Sequence, residues 1–183
     1  MNPIRITTPV EPVTLAEAKQ HLRVTDSAED ALIALYITAA RESCEDRLDT
    51  TLPTTSWRLT LDAFPDAIRL VRGPLASVDA VRYIDANGAL QTLAPQDYTV
   101  DTASTPGYVV PAYGKAWPAT RDQVNAVEVD FTAGRASVPA PLKAWMLLAV
   151  GDMYANREGS TDKPTVPHSF ADRLLDPYRT WVV

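Results

Sequence analysis

The sequence predicts an α+β fold, with a helical bundle core drawn from both ends of the chain and an inserted antiparallel β-rich region. Apolar residues recur at the helical period before residue 50 and again after residue 139. Between them, short apolar or alternating runs are separated by Gly, Pro and Asn, as turn-linked antiparallel strands are. One domain is expected from the 183 residues. It comprises N-terminal helices over 13–50, a β-rich insertion over 52–134, and helices with a terminal tail over 139–183. A chain of this length buries about 70% of its unfolded surface and folds without staples.

The first helix is predicted from Thr14, where Thr14 and Glu17 form a capping-box pattern, and runs through "LAEAKQHLRV" to about Val24. Asp26 or Ser27 then caps a second helix that reaches about Leu48, with Glu29 and Asp30 favourably placed at its positive end. Leu32, Leu35, Tyr36 and Ala39 form one apolar stripe on it, and Ile33, Ile37, Ala40 and Cys44 an adjacent one. So broad a face implies contacts on two sides, within the fold or with another subunit.

Pro53 and a run of Thr end the helical pattern, and "SWRLTLD" alternates Trp57, Leu59 and Leu61 with polar neighbours. Further strands are predicted at 67–71, 78–85, 89–93, 98–101, 108–110 and 126–131. Asn87-Gly88 lies between two of them and predicts a type I′ hairpin turn, since both residues tolerate positive φ. "DANG" does not begin a calcium loop, because the later oxygen ligands and the closing Glu are missing. A third helix opens at "VPAPLKAWMLLAV", with Pro141 in its first turn; Leu142, Trp145, Met146, Ala149 and Met153 form its face and Gly159 its stop. After the link "GSTDKPTVP", Ser169 caps a last short helix, "FADRLLDPYR", with Asp172 at the capping-box position, and "TWVV" ends the chain.

Seventeen Lys+Arg against 23 Asp+Glu leave a net charge of -6, which opposes sequence-specific nucleic-acid binding. One cysteine and two histidines exclude an internal disulfide and clustered Cys/His metal sites. The N-terminus has no basic segment leading into an apolar core, so no signal peptide is expected. The longest apolar run, Ala144 to Val150, is far short of the ~20 residues of a membrane span.

No catalytic, metal or cofactor-binding residues are proposed. His21 and His168 have no nucleophile paired with them in the sequence, and Cys44 reads as a small buried residue. The acidic groups Asp26/Glu29/Asp30 and Glu42/Glu45/Asp46 read as caps and solvated helix faces. No phosphate-cradling glycine motif occurs. The stretch "YGKAWPATRDQVNAVEVDFTAG" admits two readings. Tyr113, Lys115, Trp117 and Arg121 line a groove for single-stranded nucleic acid or sugar, or Tyr113 and Trp117 seal a sheet edge before the last strand. The acidic balance favours the second.

The segments "VTLAEAKQHLRV", "EDALIALYITAARESCEDRL", "SWRLTLDAFPDAIRL", "PLASVDAVRYIDANGALQTLAPQDYTVD", "PAYGKAWPATRDQVNAVEVDFTAG" and "VPAPLKAWMLLAVGDMYANRE", in this order, resemble the head-tail connector (adaptor) proteins of tailed bacteriophages and gene transfer agents. The resemblance spans roughly residues 13–158. It implies a structural virion protein, assembled in the bacterial cytoplasm, that forms a ring of commonly twelve subunits under the portal. Such a ring joins the filled head to the tail or its stopper and continues the DNA exit channel without reading sequence. It further implies a helical core with a β-rich insertion between the second and third helices.

After Glu158 the likeness is only one of type. By analogy with adaptors whose C-terminal segment engages the portal, Leu174, Leu175, Tyr178, Trp181, Val182 and Val183 are candidates for portal docking. Lys115, Trp117 and Arg121 are candidates for contact with a neighbouring subunit. The alternatives are a small ligand-binding or regulatory module and a hydrolase.

Overall fold

The structure, a computed structural model, describes residues 3–157 and 169–179. It has the α+β composition expected, with antiparallel sheets between helices. The chain divides into two compact units, one of Met1–Pro9 with Thr54–Ala136 and one of Val10–Pro53 with Ser137–Val183.

The β unit takes in the start of the chain because β1 (Ile4–Arg5) pairs with β2 (Thr55–Leu61), a pairing that the local sequence did not announce. Six further strands follow in the described residues: β3 (Ile68–Leu70), β4 (Leu75–Ile84), β5 (Leu90–Thr92), β6 (Tyr98–Asp101), β7 (Gly107–Pro111) and β8 (Val127–Ala133). They form an antiparallel five-stranded sheet, β1-β2-β8-β4-β5, and a three-stranded one, β3-β7-β6. Trp57, Leu59 and Leu61 lie opposite Phe131, Val129 and Val127, so the alternation read in β2 becomes one apolar face. That face meets Ile68, Leu70 and Val109 of the second sheet in a single core.

The other face of the larger sheet is charged. Arg58 grips Asp130 across the β2–β8 pair with two bonds, at 2.7 and 3.0 Å, and Arg82 reaches the same carboxylate from β4 at 2.5 Å. Asp130 is thereby held below the ordinary aspartate value, chiefly by the Arg58 hydrogen bond, which outweighs the opposing effect of burial, with Arg82 adding to the lowering.

The β4–β5 hairpin forms where Asn87-Gly88 predicts it, but with a different turn. Gly88 alone is left-handed, at φ 86°, while Ala86 and Asn87 keep negative φ. Gly88 N–H donates to the Asp85 carbonyl at 2.9 Å, so the loop is a type I turn closed by a glycine bulge. The cause is the Asp85 carboxylate, which accepts from Asn87 N–H at 2.9 Å and Ala89 N–H at 3.0 Å and fixes the loop one residue longer than a type I′ turn allows.

In the helical unit, α1 (Leu15–Leu22) starts on the capping box as read, with Thr14 N–H on the Glu17 carboxylate at 2.7 Å and Glu17 N–H on the Thr14 hydroxyl at 3.1 Å. It stops earlier than Val24 because Arg23 is left-handed and Val24 N–H turns back to the Lys19 carbonyl. The start of α2 (Asp30–Leu48) lies later than Asp26 or Ser27, since Asp26 caps its own turn by accepting from Ala28 N–H at 3.0 Å. On α2 the core takes the stripe of Ile33, Ile37, Ala40 and Cys44, and Leu35 of the other stripe is 61% exposed.

The third helix, α3 (Ala140–Ala155), has Pro141 in its first turn and buries Leu142, Trp145, Met146 and Val150. It ends at Asn156, whose side chain returns to Asp152, well before Gly159. Gly159, His168 and the whole of the link lie outside the described residues. The last helix is shorter than expected, because the chain leaves α4 (Ser169–Arg173) before Pro177 and finishes in a 3-10 turn at Asp176–Tyr178. The side chain of Ser169, the cap expected for this helix with Asp172, lies outside the described residues. Asp172 pairs with Arg47 at 2.8 Å.

The acidic run on α2 is only partly a solvated face. Glu45 is buried with Arg41, because the guanidinium supplies the charge that lets a carboxylate leave water.

Candidate assembly surfaces

Among the described residues no group of three His, Cys, Asp or Glu is placed to hold a metal ion. Cys44 is fully buried, and burial, aided by the Glu45 charge, pushes its thiol up to about 12. At neutral pH it is a small apolar side chain.

The stretch from Tyr113 to Gly134 folds as a loop and strand β8, and its members separate. Trp117 stacks on Phe64 with centroids 4.7 Å apart and donates its indole N–H to the Pro65 carbonyl at 2.7 Å. It takes part in the β unit's own packing and stays half-buried there. Lys115 pairs with Asp97 beneath the loop. Arg121 lies with its guanidinium over Gly88 and makes no ion pair among the described residues. Tyr113 seals no sheet edge, as its ring is fully exposed.

That exposure is built. Lys115 N–H closes a turn on the Ala112 carbonyl at 2.9 Å, with Gly114 left-handed at φ 74°. Ala112 N–H in turn donates to the Asp97 carbonyl at 3.0 Å. Backbone and ion pair thus fasten both flanks of Tyr113 to Asp97 and leave the ring outside.

The C-terminal candidates divide as well. Leu175 is 0% exposed and belongs to the helical unit's own core, while Leu174 and Tyr178 pack partly against that core. An apolar residue after a polar link reads the same in sequence whether it serves a partner or its own fold, and here the fold takes Leu175. Trp181, Val182 and Val183 lie outside the described residues.

One surface of the helical unit carried no sequence signal. Between α2, α3 and α4 lies a groove of about 300 Å³, lined by Ala39, Ala40 and Ala149 with Trp145, Leu148 and Met153. Alanines where the helices approach leave volume unfilled, and periodicity records only that such positions are apolar. Arg47, Asp152 and Asp172 add charge to the groove, with the Arg47 guanidinium 5.2 Å from the Trp145 ring.

Residues 12–91 match the family described as phage gp6-like head-tail connector protein. No curated protein matches the chain. Among solved structures it is similar to a chain in the neck of an empty gene transfer agent particle determined with C6 symmetry, at 28% identity and a TM-score of 0.80. It is equally similar in sequence to chains of the native gene transfer agent virion, TM-score 0.81, and of the native neck determined with C12 symmetry, TM-score 0.77. Each likeness covers 100% of this chain and 97% of the other. The family match covers α1, α2 and the start of the β unit, and the whole-length likenesses are to neck and virion chains of a gene transfer agent, so the chain is similar to the head-tail connector proteins, a likeness that supports a structural connector role in the virion.

Proposed function

We propose that the protein forms a ring, of twelve copies, beneath the portal at the DNA-exit vertex, and there joins the filled head to the tail or its stopper. The single observation that carries this reading is the whole-length likeness to a neck chain determined with C12 symmetry. The ring continues the channel through which DNA leaves. A net charge of -6 suits that task, since DNA slides past a surface that releases few of its counterions. The protein has no enzymatic step to perform in this role.

Head-side attachment is assigned to the tail beyond Arg179, with Trp181, Val182 and Val183 as its apolar anchors and Leu174 and Tyr178 as its base. Arg121 is assigned to a contact with the neighbouring subunit. The test is assembly of the purified chain with its portal, imaged by negative stain and weighed by native mass spectrometry. A portal-bound ring of twelve is expected. A chain that stays monomeric beside an intact portal overturns the reading.

A further inference from the structure

We infer that copies of this protein join by a knob and a socket, with Tyr113 of one copy seated in the α2–α3–α4 groove of the next. The inference rests on the ring reading above and names the interface that closes the ring.

The knob is unusual in its exposure and in its rigidity. Tyr113 is the most exposed large apolar side chain among the described residues, although the loop that carries it is pinned on both sides to Asp97. A ring displayed on a fixed loop loses little conformational freedom when a partner covers it, which is what interface anchors require. Tyrosine suits that role because its body is apolar and its hydroxyl still finds a partner.

The socket fits in size and in chemistry. The groove of about 300 Å³ takes a single aromatic side chain between Ala39, Ala149 and Leu148. The carboxylates of Asp152 and Asp172 line it, as acceptors for the tyrosine hydroxyl.

Symmetry decides for a second copy over a foreign partner. The knob lies on the β unit and the socket on the helical unit, so they are different patches of one surface. Such a heterologous pair, repeated by rotation, closes a ring, whereas a twofold dimer needs one patch that complements itself. The similar neck chains obey C6 and C12 symmetry, which only heterologous contacts generate.

The test compares wild type, Tyr113→Ala, Tyr113→Phe and Leu148→Arg, each alone and with the portal, by mass photometry and negative stain. Tyr113 is fully exposed and Leu148 is 40% exposed, so the substitutions leave thermal unfolding in place. Tyr113→Ala and Leu148→Arg are each expected to weaken copy–copy association about 30-fold, the loss typical of a truncated anchor, while Tyr113→Phe keeps rings. A Tyr113→Cys/Leu148→Cys chain, once oxidised, is expected to give a ladder of covalent oligomers, with no background from the buried Cys44. Rings of wild type that persist in Tyr113→Ala and Leu148→Arg overturn the inference and leave the ring reading standing. Rings that persist while a portal or tail contact is lost assign the two surfaces to that partner, and also overturn it. A wild type that forms no ring in either setting overturns the ring reading and the inference together.

Discussion

Arg41 and Glu45, one turn apart on α2, form an ion pair at 2.8 Å with side chains only 2% and 4% exposed. The other two guanidinium nitrogens of Arg41 are engaged as well, with Nε on Glu11 at 3.0 Å and Nη2 on Glu42 at 3.3 Å. The second oxygen of Glu45 accepts from Leu52 N–H at 2.9 Å. One buried pair therefore ties the approach to α1, the middle of α2 and the exit toward the sheet. Burial alone lowers the basicity of Arg41, but the Glu11 bond and the three carboxylates outweigh it and hold the guanidinium charged.

Removing Glu45 takes from Arg41 its one buried partner, leaving only Glu11 and Glu42 at the solvent side, and strips Leu52 N–H of its acceptor. Glu45→Ala is expected to destabilise the protein by about 3–5 kcal/mol. Replacing Arg41 and Glu45 together by apolar side chains of similar volume is expected to cost far less. Urea unfolding of the single and double variants measures both, and a Glu45→Ala loss below about 1 kcal/mol would contradict the account.

Asp130 gives the β unit an acid-sensitive contact. Its carboxyl is held below the ordinary value by Arg58 and Arg82, so it binds fewer protons folded than unfolded. The stabilisation is present in full above the unfolded aspartate value of about 4, and is lost as pH falls through the lower folded value. Asp130→Asn should thus cost most at neutral pH, and the gap from wild type should narrow below about pH 4. Equilibrium unfolding across pH 2–7 of both proteins reads this directly. A gap that stays constant to the acid end would remove Asp130 from the acid response.

The sequence disclosed the order of elements because periodicity and turn residues are local signals, and most strand and helix positions follow from them. It did not disclose what depends on distant partners. β1 exists because β2 offers it an edge, and two residues carry no pattern of their own. Periodicity marked two stripes on α2 as apolar and left open which faces the core, which α3 decides by meeting Ile33, Ile37 and Cys44. The turn at Asn87-Gly88 was placed and mistyped because the deciding group is the Asp85 carboxylate. Of the assembly surface, Lys115, Trp117 and Arg121 drew notice by residue type, whereas the alanine-lined groove and the isolation of Tyr113 arise only when helices and loops have packed.

Gly107, at the start of β7, tests how tightly the two sheets close. A Cβ there would meet Leu75 Cδ2 at 2.6 Å, Leu75 Cβ at 2.8 Å and the Asp101 carbonyl at 3.0 Å. Gly107→Ala is expected to cost about 1–3 kcal/mol by overpacking, although alanine suits a strand better than glycine. Shortening Leu75 removes Cδ2 but not the Cβ or carbonyl clash, so Leu75→Ala in the Gly107→Ala background relieves only part of that cost. Thermal melts of the two singles and the double make the cycle. Full additivity would mean that Leu75 is not the obstruction.

Leu175 and the four residues after Arg179 should separate folding from attachment. Leu175 is wholly buried with Leu142, Met146 and Val150, so Leu175→Ala removes apolar contacts from the centre of the helical unit. The expected loss is about 2–5 kcal/mol, seen as a lowered melting temperature whether or not a portal is present. Deleting residues 180–183 keeps Leu175 and its core neighbours in the chain and is expected to leave the melting temperature within a degree or two, on the order of a surface substitution. The same deletion is expected to abolish retention on portal-bearing heads in a sedimentation assay. Retention by the shortened chain would return the attachment role to Leu174 and Tyr178, on the part of the helical unit that the deletion leaves intact.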